Sequence, residues 1–148
     1  MRKTRILCFG NSLHGDDGFG HAVSLALTRT LHDPNVEIHD CAIRGFDALP
    51  LFADCAHVVV VDAMAGPCPG TLRVLAADEV PMEDSGSSHG AGVGALLAAV
   101  RAALGEMPRI DVIAVEIASA VPFSPGLSPE VASAIVEACT EIRFRISL

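Results

Sequence analysis

Three segments of this chain carry side chains that could do chemistry together. Asn11, His14, Asp16 and Asp17 crowd one glycine-rich stretch, Asp62 follows four consecutive valines, and Ser87, Ser88 and His89 stand just before an apolar run. Asp17, Asp62 and His89 would supply two carboxylates and one imidazole, a donor set that suits nickel, zinc, iron or another divalent transition metal. Such a set leaves coordination positions open, as a metal that must meet a substrate requires. Each residue also has a plainer use. Asp16 or Asp17 could cap the following helix and favour its positive end, Asp62 could end a strand as a turn residue, and His89 could simply open a helix. An acid directly after Val58 to Val61 is awkwardly close to a core, however, unless it is paired or metal-bound.

Rival chemistries find less support. Gly10-x-x-x-x-Gly15-x-x-Gly18-x-Gly20 has the setting of a phosphate loop but neither the G-x-G-x-x-G spacing nor a Gly-Lys-Ser/Thr ending. Asp16 and Asp17 would also repel a phosphate there, so no dinucleotide cofactor is expected. Ser87-Ser88-His89 places a hydroxyl beside an imidazole, but sequence adjacency does not supply triad geometry. There is no G-x-S-x-G elbow and no H-E-x-x-H helix. Cys41 beside Asp40, and Cys68 in a proline turn, lack an evident activating base. Covalent catalysis is not expected. His14, His21, His32, His39 and His57 read as structural or exposed.

The elements that must bring the three segments together alternate between strands and helices. Thr4 to Phe9 reads as a strand leading into the Gly10 to Gly18 loop, and the apolar spacing from about Phe19 to Leu31 predicts a helix. A short strand follows at Val36 to Asp40, then a short helical segment at Phe46 to Phe52. His57 to Val61 reads as a central strand buried on both faces and ending at Asp62. Thr71 to Leu75 is a strand too close behind it for a helical crossover, so it should run antiparallel to its predecessor. Residues 78–88 read as polar loop. Val93, Leu96, Leu97, Val100 and Leu104 mark a helix, Ile110 to Ile117 the fifth strand, and Ser128-Pro129 the capped start of a final helix reaching Ile142. The result is one α/β domain over 1–148, three-layer α/β/α with a mostly parallel, mixed sheet. In such sheets ligands bind beyond the carboxyl ends of the strands, where strand order reverses. If the first and third strands flank that reversal, Asp17 and Asp62 face each other across one crevice with His89 arriving from the side.

Composition narrows the function classes. With 148 residues, 51% hydrophobic and 19% charged, the chain can bury a sizeable core. A net charge of −8 without a basic stripe argues against nucleic-acid binding. Cys8, Cys41, Cys55, Cys68 and Cys139 form no C-x-x-C pair, which excludes the usual zinc-finger spacings and suits a reducing cytoplasm. The apolar stretch from Ile6 to Phe9 is too short for a secretory core, and no run approaches a membrane span. A soluble, cytoplasmic protein that meets no membrane is expected.

The stretch Ile6 to Gly20, with its Gly10-Asn11-Ser12-Leu13-His14-Gly15-Asp16-Asp17-Gly18 core, resembles the opening of the hydrogenase maturation proteases. These endopeptidases trim the C-terminus of the large subunit of nickel–iron hydrogenases. Val58 to Ala63, Pro69-Gly70, Ser88-His89 and Gly126-Leu127-Ser128-Pro129 continue the likeness in order, over nearly the whole chain. The resemblance implies a five-stranded mixed sheet between helices with one antiparallel strand. It implies a hydrogenase large-subunit precursor as partner, with nickel carried by that substrate and recognised by Asp17, Asp62 and His89. Asp17 stands where some relatives have glutamate, and Cys41-Ala42-Ile43 stands where relatives often have Gly-Gly-Thr. The group that activates water is left open, with Asp16 and Asp40 as further candidates. A non-catalytic, nickel-sensing chaperone of the precursor would use the same three residues.

Overall fold

The computed structural model describes residues 3–82, 92–118 and 120–148. Val58, Val59, Val60 and Val61 are all fully buried. A run of β-branched residues with no polar alternation can only be satisfied by cover on both faces, and that puts His57–Ala65 (β3) at the centre of a sheet. Around it lie Thr4–Phe9 (β1), Val36–Ala42 (β2), Leu72–Ala76 (β4) and Arg109–Ile117 (β5), in the order β2-β1-β3-β5-β4. The β1–β2, β1–β3 and β3–β5 pairs are parallel and β4–β5 is antiparallel.

Alternation along the strands sorts the core into two layers. On one face Ile6, Cys8, Val59, Val61, Ile113 and Val115 pack against Phe19–Thr30 (α1) and Pro129–Ile146 (α3). On the other, Leu7, Phe9, Val58, Val60 and Val112 pack against Val93–Ala103 (α2) and the 3-10 turn Phe46–Phe52. This is the three-layer α/β/α arrangement and mixed sheet that the sequence predicts.

One expectation holds with a detail that the sequence did not carry, and another needs correction. β4 does run opposite to β3, as the short connection requires, but β5 lies between them and is the strand that β4 pairs with. β3 does not stop at Asp62 either; it continues to Ala65, paired residue by residue with β5. A five-stranded sheet can extend a central strand on one side after its other neighbour has ended, and a valine count cannot show that.

At the amino edge of the sheet, far from the carboxyl ends, a charged cluster ties three elements together. His57 Nε2 and Asp111 Oδ2 are 2.8 Å apart, Arg109 Nη2 lies 3.0 Å from the same oxygen, and Arg145 Nη1 lies 3.8 Å from Oδ1. Asp111→Ala would leave Arg109 and His57 without this carboxylate, and Arg145 with Glu141 alone. Because Arg109 is well exposed, the expected loss is about 2 kcal/mol rather than the full cost of a buried pair. A shift in the urea midpoint with unchanged slope checks it.

Candidate functional site

Strand order reverses between β1 and β3, since β1 has β2 on one side and β3 on the other. The carboxyl ends of these two strands therefore frame the crevice where α/β sheets receive ligands. What fills it follows from how the chain leaves β1. Gly10 has φ +131, and its N–H donates to the Ala42 carbonyl at 2.8 Å. The loop then folds back on itself: the Asn11 N–H donates to Asp17 Oδ2 at 2.9 Å, and the Asp17 N–H to the His14 carbonyl at 3.1 Å. A Cβ on Gly10 would stand 2.1 Å from the Asp17 carbonyl oxygen, so only glycine lets the loop close this tightly.

Asp62 is positioned by the end of β1. Pairing of β1 with β3 stops at Cys8 and Val61, so Asp62 is the first residue of β3 past that neighbour while still opposite Ala114 of β5. It lies on the α2 face by alternation with Val58 and Val60. Its Oδ1 accepts the Ala63 N–H at 2.8 Å. Asp17 and Asp62 line one small cleft of about 80 Å³ between the β1 loop, the end of β3 and the start of α2. Both are half-buried. Two carboxylates from segments 45 positions apart thus line one recess.

His89 lies outside the described residues. Among the described residues no group of three or more His, Cys, Asp or Glu stands close enough to hold a metal ion.

The two further acids have other partners. Asp16 accepts from both the N–H and the hydroxyl of Ser128, at 2.6 and 2.9 Å, across 112 positions of sequence. Ser128 is the N-cap residue of α3. Asp16 therefore anchors the start of the last helix, not the first, and with Gly15 N–H donating to the Ser124 carbonyl it holds the β1 loop against residues 124–128. Asp16→Ala is expected to cost about 1–2 kcal/mol, the usual loss for a helix-capping contact. Thermal unfolding compared with Ser128→Ala checks it, because removing either partner should cost nearly as much as removing both. Asp40 Oδ2 is 2.6 Å from His21 Nδ1, and its Oδ1 accepts the Ala42 N–H at 3.2 Å. His21 was not singled out by the sequence; only the adjacency of α1 and β2 brings it to Asp40.

Thiol chemistry is remote. Burial pushes the Cys41 thiol up to about 11, with Arg44 opposing and Asp40 adding to the rise, so it stays protonated near neutrality. Cys8 is raised further by its burial. Neither is a nucleophile in waiting. The wall of the cleft that sequence reasoning missed is the corner after β2, where Ala42, Ile43 and Arg44 line the recess. No helix among the described residues is long and apolar enough to cross a membrane.

Known proteins similar to this chain point to one family. Residues 21–143 match the family model described as hydrogenase maturation protease. The chain is 30% identical to the hydrogenase expression/formation protein HupD of Rhodobacter capsulatus, over 95% of this chain and 71% of that protein. A shorter match, 37% identical over 86 residues, covers 55% of this chain but only 56% of a Methanocaldococcus jannaschii protein with the same family designation. The hydrogenase maturating endopeptidase HybD from E. coli superposes with a TM-score of 0.84 at 28% identity, covering 98% of this chain and 93% of that one. The hydrogenase maturation protease HycI from Thermococcus kodakarensis shares the fold, with a TM-score of 0.77 at 22% identity over 95% of this chain and 90% of that one.

Proposed function

The chain belongs to the hydrogenase maturation protease family, and from that premise we propose that it is an endopeptidase. Its substrate is the large-subunit precursor of a nickel–iron hydrogenase, from which it removes the C-terminal peptide after nickel has been inserted. The observation that carries this reading is the convergence of Asp17 and Asp62 in one cleft at the strand-order reversal.

In this reading the nickel arrives with the precursor. Asp17 and Asp62 contact it, with His89 as the third contact that the family resemblance implies. Oxygen and nitrogen donors of this kind suit nickel, and a metal bound only when the precursor is complete acts as a checkpoint. The same ion can polarise the scissile carbonyl. Among the described residues the polar side chains lining the cleft are those of Asp17, Arg44 and Asp62, and in this reading water is the nucleophile. Its oxygen bonds to the carbonyl carbon, the carbon–nitrogen bond breaks, and the proton released from water ends on the departing amine. A carboxylate in the recess can relay that proton. A cytoplasmic setting belongs to the same reading, and Cys8, Cys41, Cys55, Cys68 and Cys139 as free thiols fit it.

Gating by nickel is testable directly. Nickel-loaded and nickel-free precursor from the same cell are incubated with the protein and resolved by gel mobility. Shortening of the loaded form alone is the expected result. Equal shortening of both removes the checkpoint, and stable binding without shortening of either makes the protein a chaperone of the precursor instead.

A further inference from the structure

The corner after β2 is built to aim one cation at the cleft. A β-bulge interrupts the β1–β2 register, so that Cys8 pairs with Asp40 but Phe9 pairs with Ala42, leaving Cys41 as the extra residue. Bulges of this kind bend a strand and redirect the side chains beyond it. Ala42 then takes φ +49, a left-handed conformation that an alanine adopts only when its surroundings impose it. Two hydrogen bonds impose it here: Ala42 accepts from the Gly10 N–H at 2.8 Å, and the Arg44 N–H donates to the Cys41 carbonyl at 3.0 Å. Arg44 is thereby carried onto the wall of the recess that holds Asp17 and Asp62.

Among the described residues Lys3, Arg5, Arg73, Arg109 and Arg145 each have a carboxylate within 4 Å, while Arg29, Arg44, Arg101 and Arg143 have none, and of those four it is Arg44 that lines the recess. Its guanidinium is exposed and shares the recess with Asp17 and Asp62. Gly92 and Val93, where α2 begins, line the same recess. The recess therefore offers two carboxylates and one guanidinium. A cation carried by a substrate matches the carboxylates, and the guanidinium asks for an anion.

We propose that Arg44 is a substrate-selecting residue whose guanidinium pairs with a carboxylate in the C-terminal segment of the precursor. This rests on the protease reading above. The planar fork of arginine fits a carboxylate with two parallel hydrogen bonds, which fixes orientation as well as charge. The carboxylate is either an Asp or Glu side chain of that segment or the terminal carboxylate itself. Because it is bound equally before and during the reaction, the contact acts on KM and not on kcat.

The test uses the full chain and nickel-loaded precursor. Arg44→Glu should raise KM by about ten- to a hundredfold with kcat within about twofold, and Arg44→Lys should fall between it and wild type. Changing the partner Asp or Glu of the precursor to its amide should reproduce the loss with wild-type enzyme and add nothing to Arg44→Glu, and a lysine there should be rescued by Arg44→Glu. If the terminal carboxylate is the partner, extending the tail by a few alanines gives the loss while the amide changes do not. An unchanged KM in Arg44→Glu overturns the proposal, as does a fall in kcat at constant KM, which would put Arg44 in the chemistry. So does a wild-type KM indifferent to every tail change. Wild-type enzyme that cuts no precursor at all would instead sink the protease reading itself.

Discussion

Asp17→Asn and Asp62→Asn should each lower the rate of precursor cleavage by at least about a hundredfold, the lower end for losing a group that holds or moves charge at a reacting centre. Both substitutions keep the shape of the side chain. Asp17 Oδ2 accepts the Asn11 N–H and Asp62 Oδ1 accepts the Ala63 N–H, and an asparagine oxygen can accept either bond. The backbone bonds that hold both side chains therefore survive the substitutions, and the fold with them. Circular dichroism establishes the fold and a timed cleavage assay the rate. Retention of cleavage within a few fold by both folded variants would take the chemistry out of this cleft.

Gly10→Ala should remove stability and cleavage together. A Cβ at Gly10 would lie 2.1 Å from the Asp17 carbonyl oxygen, a backbone atom that cannot swing aside, and φ +131 is strained for any side chain. The loop from Gly10 to Asp17 must open, which breaks the Asn11 N–H bond to the Asp17 carboxylate and displaces that carboxylate from Asp62. A loss of about 3 kcal/mol is expected, or a drop in Tm of roughly 6–12 °C for a domain of this size. Gly105 is the control, since a Cβ there meets nothing within 4 Å, and Gly105→Ala should be nearly neutral in both respects. A Gly10→Ala variant that melts and cleaves like Gly105→Ala would mean that this loop does not set the position of Asp17.

Much of the frame was readable from local pattern. Four valines demand burial on both faces, Ser128-Pro129 is a strong helix start, and eight residues cannot hold a helical crossover, so the direction of β4 followed. The partner of β4 did not follow, because which strand slips between two others depends on contacts far along the chain. The same limit governs the site. Asp17 and Asp62 could be brought to one edge by topology alone, since both lie beyond strand ends on either side of a reversal. That Asp16 is bound to Ser128, 112 positions away, or that Asp40 meets His21 across the gap between β2 and α1, depends on packing that no local spacing encodes. Arg44 was illegible for another reason. Its aim comes from a bulge and a left-handed alanine, and neither Cys41 nor Ala42 is a residue type that announces such a turn.

Intact-mass spectrometry of a nickel-loaded large-subunit precursor, before and after incubation with the wild-type chain, tests the central claim most directly. Loss of a single C-terminal peptide, with the remaining mass equal to the precursor minus that peptide plus one water, is the expected result. An unchanged precursor mass under conditions where the two proteins bind each other would contradict it.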